Sequence, residues 1–173
     1  MDDLSQFSAV EVLRDGGTLE IRALRPDDRE GLLAAVGQTS ALSLYRRFFG
    51  AKSHFTDTEV AYFLNVDFTN HVALVATAND NGERVIVGGA RYVVTRPGQA
   101  EVAITVVDEY QGQGIGAALV RHLIGIARTS GLAELTAEIL RDNAPMLKVF
   151  ERCGLPLSKR VEAEAVHVLL QLG

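Results

Sequence analysis

With 173 residues, of which 47% are hydrophobic, the chain suits one domain with a sizeable core and is short for two. Its net charge of −5 argues against a nucleic-acid surface and mildly favours cationic partners such as lysine amines. The apolar runs are far shorter than a membrane span and the start, Met1-Asp2-Asp3-Leu4, is acidic, so neither a spanning helix nor a signal peptide is read and a cytoplasmic protein is expected. A single cysteine, Cys153, allows no internal disulfide. The histidines (His54, His71, His122, His167) lack ligand spacing, so no metal is expected.

In chain order, residues 1–16 read as a flexible lead-in to a single domain over 17–173. Residues 18–24 alternate as a strand, with Leu19, Ile21 and Ala23 set against Glu20 and Arg22. Pro26-Asp27-x-x-Glu30 is a capping-box pattern opening a helix that Gly37 closes. A second helix is expected over 40–49, with Leu44, Tyr45, Phe48 and Phe49 as its apolar side, and Thr56-x-x-Glu59 caps a third whose stripe is Val60, Phe63 and Leu64. Then the period changes. Residues 71–78 and 83–94 are β-branched runs joined at Asn79-Asp80-Asn81-Gly82, and Arg96-Pro97-Gly98 turns the chain into a strand over 100–107, giving an antiparallel meander. A helix follows with Ile115, Leu119, Leu123 and Ile126 inward and Arg121 and Arg128 outward, ending at Ser130-Gly131. A strand over 132–140, a helix over 144–152 and two closing strands complete the chain, Val166, Val168, Leu170 and Leu172 alternating in the last.

The chemistry concentrates in Gln111-Gly112-Gln113-Gly114-Ile115-Gly116-Ala117, between the run 102–107 and a helix. Glycines there permit positive φ and close approach of a ligand, and the unpaired first amides of the helix carry the positive end of its dipole, so the segment reads as an anion loop that fits a pyrophosphate. A nucleotide-triphosphate loop needs Gly-Lys-Ser/Thr where this chain has Gly116-Ala117-Ala118, and Gly112, Gly114 and Gly116 do not have the Gly-x-Gly-x-x-Gly spacing of a dinucleotide fold.

What remains, Gln-x-x-Gly-x-Gly at Gln111, Gly114 and Gly116, resembles the acetyl-CoA loop of the GNAT family of N-acetyltransferases. A second segment, Asn143 to Leu155, is similar to the family's segment beside the cysteamine end of CoA, and the element order is similar over essentially the whole chain. The fold implied is α+β: a central, largely antiparallel twisted sheet flanked by helices. Leu44-Tyr45-Arg46-Arg47-Phe48-Phe49, Asp67-Phe68, Ala100-Glu101-Val102-Ala103 and Val106 to Gln111 further resemble the catalytic domain of bacterial Pat-type protein lysine acetyltransferases.

The resemblance implies acetyl-CoA as co-substrate, no metal, and CoA contacts at Ile104, Val106, Gln111, Gly112, Gln113, Gly114, Ile115, Gly116, Ala117 and Asn143. A lysine ammonium with a pKa near 10.4 must lose a proton before it attacks a thioester. The Pat resemblance places the base at Glu101, a charge in a strand otherwise made of Ala, Val, Ile and Thr; the other reading of Glu101 is a solvated strand start. From Glu101 to Ile104 a strand rises about 10 Å, a gap for a side chain plus water. Asn143 has two readings, a pantetheine contact and a helix N-cap. Many relatives have a tyrosine acid where this chain has Phe150, which cannot donate a proton, and Cys153 without a His/Asp partner reads as a core cysteine. Tyr45, Phe48, Phe49 and Phe63 read as core, and Arg46 and Arg47 as a solvated face. The short capped helices favour an open acceptor groove, hence a protein with an exposed lysine, with AMP-forming acyl-CoA synthetases first by resemblance. A small-amine acetyltransferase and an acyl-CoA-binding module with little catalysis are the alternatives. The sequence sets no oligomeric state.

Overall fold

The computed structural model describes residues 3–38 and 56–173. The helix expected over 40–49 and the loop histidine His54 lie outside them. The elements are β1 (Ser8–Val12), β2 (Thr18–Ala23), α1 (Arg29–Gly37), α2 (Asp57–Leu64), β3 (His71–Asp80), β4 (Glu83–Arg96), β5 (Gln99–Val106), α3 (Ile115–Thr129), β6 (Glu134–Leu140), α4 (Ala144–Glu151), β7 (Leu157–Glu162) and β8 (Ala165–Gln171). The strands form one eight-stranded sheet in the order β1-β2-β3-β4-β5-β6-β8-β7. Every neighbouring pair is antiparallel except β5 and β6. No helix among the described residues is long and apolar enough to cross a membrane.

The meander forms where the turn chemistry directs it. Asn81 (φ 52°) and Gly82 (φ 90°) take the two left-handed positions of the β3–β4 hairpin, and the Asn79 Oδ1 accepts the Gly82 N–H at 2.8 Å. At α2 the Thr56 Oγ1 accepts the Glu59 N–H at 3.1 Å while the Glu59 carboxylate accepts the Thr56 N–H at 3.2 Å, a reciprocal cap.

Two expectations are corrected. Residues 1–16 are not a free lead-in over their described part: Leu4–Gln6 make a 3₁₀ turn capped by Asp3, and β1 pairs along β2 from Ser8↔Arg22 to Val12↔Thr18. The strand was hard to read because its apolar alternates, Val10 and Val12, face solvent at 71% and 73% exposure, while its inward positions are Ala9 and Glu11. The cap before α1 also uses a different carboxylate. Asp28, not Glu30, accepts the Arg25 N–H at 2.7 Å and takes both arms of the Arg22 guanidinium at 2.8 and 2.9 Å.

One face of the sheet carries α3 and α4. Leu19, Ile21, Val72, Leu74, Val102, Ile104 and Val106 pack there against Ile115, Leu119, Leu123 and Phe150. Helix α3 is apolar on more than one stripe: Ala118, Val120, Ile124 and Ala127 are buried as well, since α4 covers its flank. Gly88 on β4 makes this packing possible, because a Cβ there would meet the Thr105 carbonyl oxygen at 3.1 Å and the Leu119 Cδ1 at 3.4 Å. Arg128 is exposed, as expected, and donates from Nε to the Leu172 carbonyl at 2.8 Å. The opposite face holds a smaller cluster, Leu24, Ala73, Val75 and Ile86 under Leu32, Ala35, Leu64 and Val66.

Candidate active site

The site begins where the sheet fails to close. β5 and β6 pair only over Gln99↔Glu134, Ala100↔Leu135 and Glu101↔Thr136, and beyond that the strands part. The gap is a cleft of about 1030 Å³ whose walls include Ile104 and Val106 of β5, the glycine loop, and Asn143, Phe150 and Cys153 of the α4 segment.

Backbone parity fixes what β5 offers to the cleft. Val107 donates its N–H to the Val87 carbonyl of β4 at 2.8 Å, so odd-numbered residues of this strand turn their peptide groups toward β4 and even-numbered ones toward the opposite edge. The Ala100 carbonyl accordingly accepts from the Thr136 Oγ1 at 3.5 Å, and the Val106 carbonyl accepts from the Gln111 Nε2 at 3.0 Å. Ile104 lies between them with the same parity, so its N–H and C=O face the cleft, where no strand of the described residues pairs them. A donor and an acceptor on an open strand edge suit a chain of amides such as pantetheine.

At the cleft's end Gly112 (φ 80°) and Gly114 (φ 90°) take left-handed conformations, and Gly114 is the cap residue of α3 with no side chain bonded to it. The first ladder donor of the helix is Ala118, to the Gly114 carbonyl at 3.0 Å. The amides of Ile115, Gly116 and Ala117 therefore have no acceptor within the helix and add to the positive end of its dipole. A Cβ on Gly116 would stand 3.7 Å from Val149 and 3.9 Å from Val106, ordinary contact, so internal packing leaves room for a methyl at this position. What the hydrogen adds is room for a ligand against the amides. These donors, for which no side chain competes among the described residues, fit a pyrophosphate.

Nearly all the expected contact residues meet here: Ile104, Val106, Gln111, Gly112, Gly114, Ile115, Gly116, Ala117 and Asn143 line the cleft. Gln113 does not. Asn143 caps α4, its Oδ1 accepting the Met146 N–H at 3.4 Å, and lines the cleft as well, so the cap reading holds without displacing the other. Phe150 is 3% exposed and combines core with cleft wall. Among the described residues no His/Cys/Asp/Glu group is arranged to hold a metal ion.

Glu101 stands exposed at the point of divergence, on the face opposite α3. It shares that face with Ala103 and Thr105, which line the cleft and also a second, apolar cavity of about 120 Å³ beneath α1 and α2. β5 thus forms a wall common to both spaces. On the same face Arg91 donates to the Phe63 carbonyl at 3.1 Å and to the His71 Nε2 at 2.9 Å, its guanidinium lying 4.8 Å from the Phe63 ring centre. Burial and then Arg91 hold the His71 imidazole below its ordinary pKa, against the pull of Asp67, so it is neutral at pH 7. The Asp67 carboxyl is itself held low by the backbone N–H groups of Thr69, His71 and Asn70.

Sequence reasoning missed the cleft's basic lining, Arg14, Arg121, Arg128, Lys148 and Arg152. These positions are scattered from residue 14 to 152 and carry no local pattern.

A family model described as "Acetyltransferase (GNAT) family" matches residues 39–155. An acetyltransferase of Pseudomonas aeruginosa is 35% identical over 127 residues, covering 73% of this chain and 68% of that protein. The acetyltransferase Pat of Mycolicibacterium smegmatis is 36% identical over 146 residues; the match takes in 82% of this chain but only 42% of that longer protein. Among solved structures, the GNAT domain of S. lividans PAT superposes with a TM-score of 0.85 at 33% identity, covering 95% of this chain and 96% of that one. An acetyltransferase from Salmonella typhimurium, solved with acetyl-CoA, has the same fold at a TM-score of 0.67 and 23% identity, over 90% of this chain and 94% of its own. With the splayed strands, the glycine loop and these relatives in agreement, the chain belongs to the GNAT family and is an N-acetyltransferase.

Proposed function

We propose that this protein transfers an acetyl group from acetyl-CoA to a lysine ε-amine of a protein, a reading that the likeness to the Pat relatives supports, with AMP-forming acyl-CoA synthetases the first substrates to test. The observation that carries the reading is the parting of β5 and β6 just past Glu101, with an uncapped helix N-terminus at the mouth of the resulting cleft.

Bound acetyl-CoA supplies an activated acetyl thioester. The Ile115, Gly116 and Ala117 amides hold its pyrophosphate, and the Ile104 edge of β5 holds the pantetheine and sets a peptide N–H toward the thioester oxygen, where it stabilises developing negative charge. Glu101, on the other face of the same strand, takes the proton from the acceptor ammonium through water. Phe150 offers no proton to the leaving sulfur, a loss the chemistry tolerates because a thiol ionises near pH 8.5. Asn143 keeps the α4 turn in place with its oxygen and has its amide N–H groups for the pantetheine.

Incubation with radiolabelled acetyl-CoA, a purified AMP-forming acyl-CoA synthetase and a panel of small amines tests this. Label on a synthetase lysine is expected. Efficient acetylation of a small amine with no labelled protein, in the synthetase or in whole lysate, overturns it.

A further inference from the structure

The tip of the β1–β2 hairpin reaches the cleft. Arg14 lines it, and its Nη1 lies 3.5 Å from the carbonyl oxygen of Gly112 in the glycine loop. The hairpin is tightly turned, with the Leu13 N–H bonded to the Gly17 carbonyl at 2.7 Å and the Asp15 carboxylate accepting the Gly17 N–H at 2.9 Å. It is also bolted to α3. The Glu11 carboxylate accepts from the Arg121 Nη2 and the His122 Nε2, each at 2.6 Å, and Phe7 meets the His122 ring edge-on with centroids 5.7 Å apart. Both Glu11 partners lie on the helix whose first amides form the anion site, so strand and site form one unit.

Basic residues outnumber acidic ones in the cleft lining. The chain carries −5 overall, yet the cleft is lined by Arg14, Arg121, Arg128, Lys148 and Arg152 against the two acids Glu101 and Glu138, and of these bases Arg14 meets the glycine loop. Glu11 engages Arg121. Arg14 has no carboxylate partner among the described residues, and its contact with Gly112 is long enough to yield to a stronger acceptor.

We infer that Arg14 is a cofactor-binding residue, its guanidinium held at the glycine loop to pair with a phosphate of CoA, and that Glu11 is the positioning residue that keeps the hairpin there. The inference rests on the acetyl-CoA reading above. A guanidinium fork suits a phosphate better than a carbonyl, and a phosphate in that place meets Arg14 and the α3 amides together.

Calorimetric titration of the protein with CoA and with 3′-dephospho-CoA tests this on the parent, Arg14→Ala, Glu11→Ala and the double variant. Arg14→Ala should weaken CoA about tenfold, the loss of one charge-assisted contact at a solvated site, with the ligand-free melting temperature unchanged. Raising salt from about 0.05 to about 0.5 M should shrink that gap. Equal losses for the two ligands assign Arg14 to the pyrophosphate, and a loss confined to CoA assigns it to the 3′-phosphate; either supports the inference. In the Glu11→Ala background, Arg14→Ala should cost little more. A parent that binds CoA beside an Arg14→Ala protein that binds it equally overturns the Arg14 assignment alone, as does a gap indifferent to salt. Additive losses in the double variant overturn the role of Glu11. A parent that binds no CoA overturns the acetyl-CoA reading and this inference with it.

Discussion

Glu101 and Thr136 are the last pair in the parallel ladder between β5 and β6. Their position puts Glu101 where the cleft opens. Up to this pair the two strands are joined; past it, the N–H and C=O of Ile104 have no strand partner among the described residues. An open strand edge of this kind offers an unpaired donor and acceptor that a ligand with amide groups can satisfy.

Glu101→Gln keeps the shape and removes the proton acceptor. Turnover at neutral pH should fall about 10²-fold while CoA affinity stays at the parent value. The deficit should shrink as pH rises, because a free amine needs no base. Steady-state rates from pH 6 to 9 with calorimetry at pH 7 check this, and full activity throughout would return Glu101 to the role of a solvated strand residue.

Gly116 separates ligand from fold. The left-handed Gly114 resists any side chain on backbone grounds, whereas the contacts of 3.7 and 3.9 Å around a Cβ at position 116 are ordinary. Gly116→Ala should fold normally and bind CoA less tightly. Gly116→Asp, which places a carboxylate on the anion site, should abolish the rise in melting temperature that CoA produces in the parent. Thermal scans with and without CoA decide it, and undiminished protection in Gly116→Asp would remove the pyrophosphate from these amides.

Asn143→Ser tests the double use of one side chain. Serine caps a helix about as well as asparagine, so the melting temperature should stay close to the parent. The lost amide donor should weaken CoA several-fold. A fall in stability with unchanged CoA affinity would leave Asn143 as a cap only.

The parts of the fold legible in the sequence were those whose residues carry a local mechanism. Asn81-Gly82 needs positive φ and obtains it, Thr56 and Glu59 cap each other, and Val166, Val168 and Leu170 of β8 alternate inward, all 5% exposed or less. The glycine loop was legible for the same reason. The illegible parts are tertiary. β1 turns its valines outward, so its alternation has the wrong sense for a core strand. The divergence of β5 from β6 leaves no trace within either strand, because Val102, Ile104 and Val106 remain buried by α3 whether or not β6 continues beside them. Arg14 meets Gly112, and Glu11 of the same hairpin meets Arg121 of α3, and no short-range rule joins positions so far apart.

The Arg22–Asp28 pair yields a prediction about acid. Both side chains are about nine-tenths buried, and their bond joins β2 to the turn before α1. Burial alone would raise the Asp28 carboxyl, but the Arg22 guanidinium and the Arg25 N–H outweigh it and hold the group below its ordinary value. A carboxyl depressed on folding adds stability above its unfolded pKa, near 3.9, and that stability is lost as pH falls through the folded value. Arg22→Ala strips the carboxylate of its guanidinium partner and leaves it the Arg25 N–H, at a cost of about 3 kcal/mol at pH 7. In that variant burial is opposed chiefly by the Arg25 N–H, so the carboxyl rises relative to the parent and the gap between parent and variant should narrow as pH drops from about 5 to about 3. Urea unfolding across that range measures it. A gap that is constant with pH would mean that the variant loses packing around the guanidinium rather than the charge that Asp28 requires.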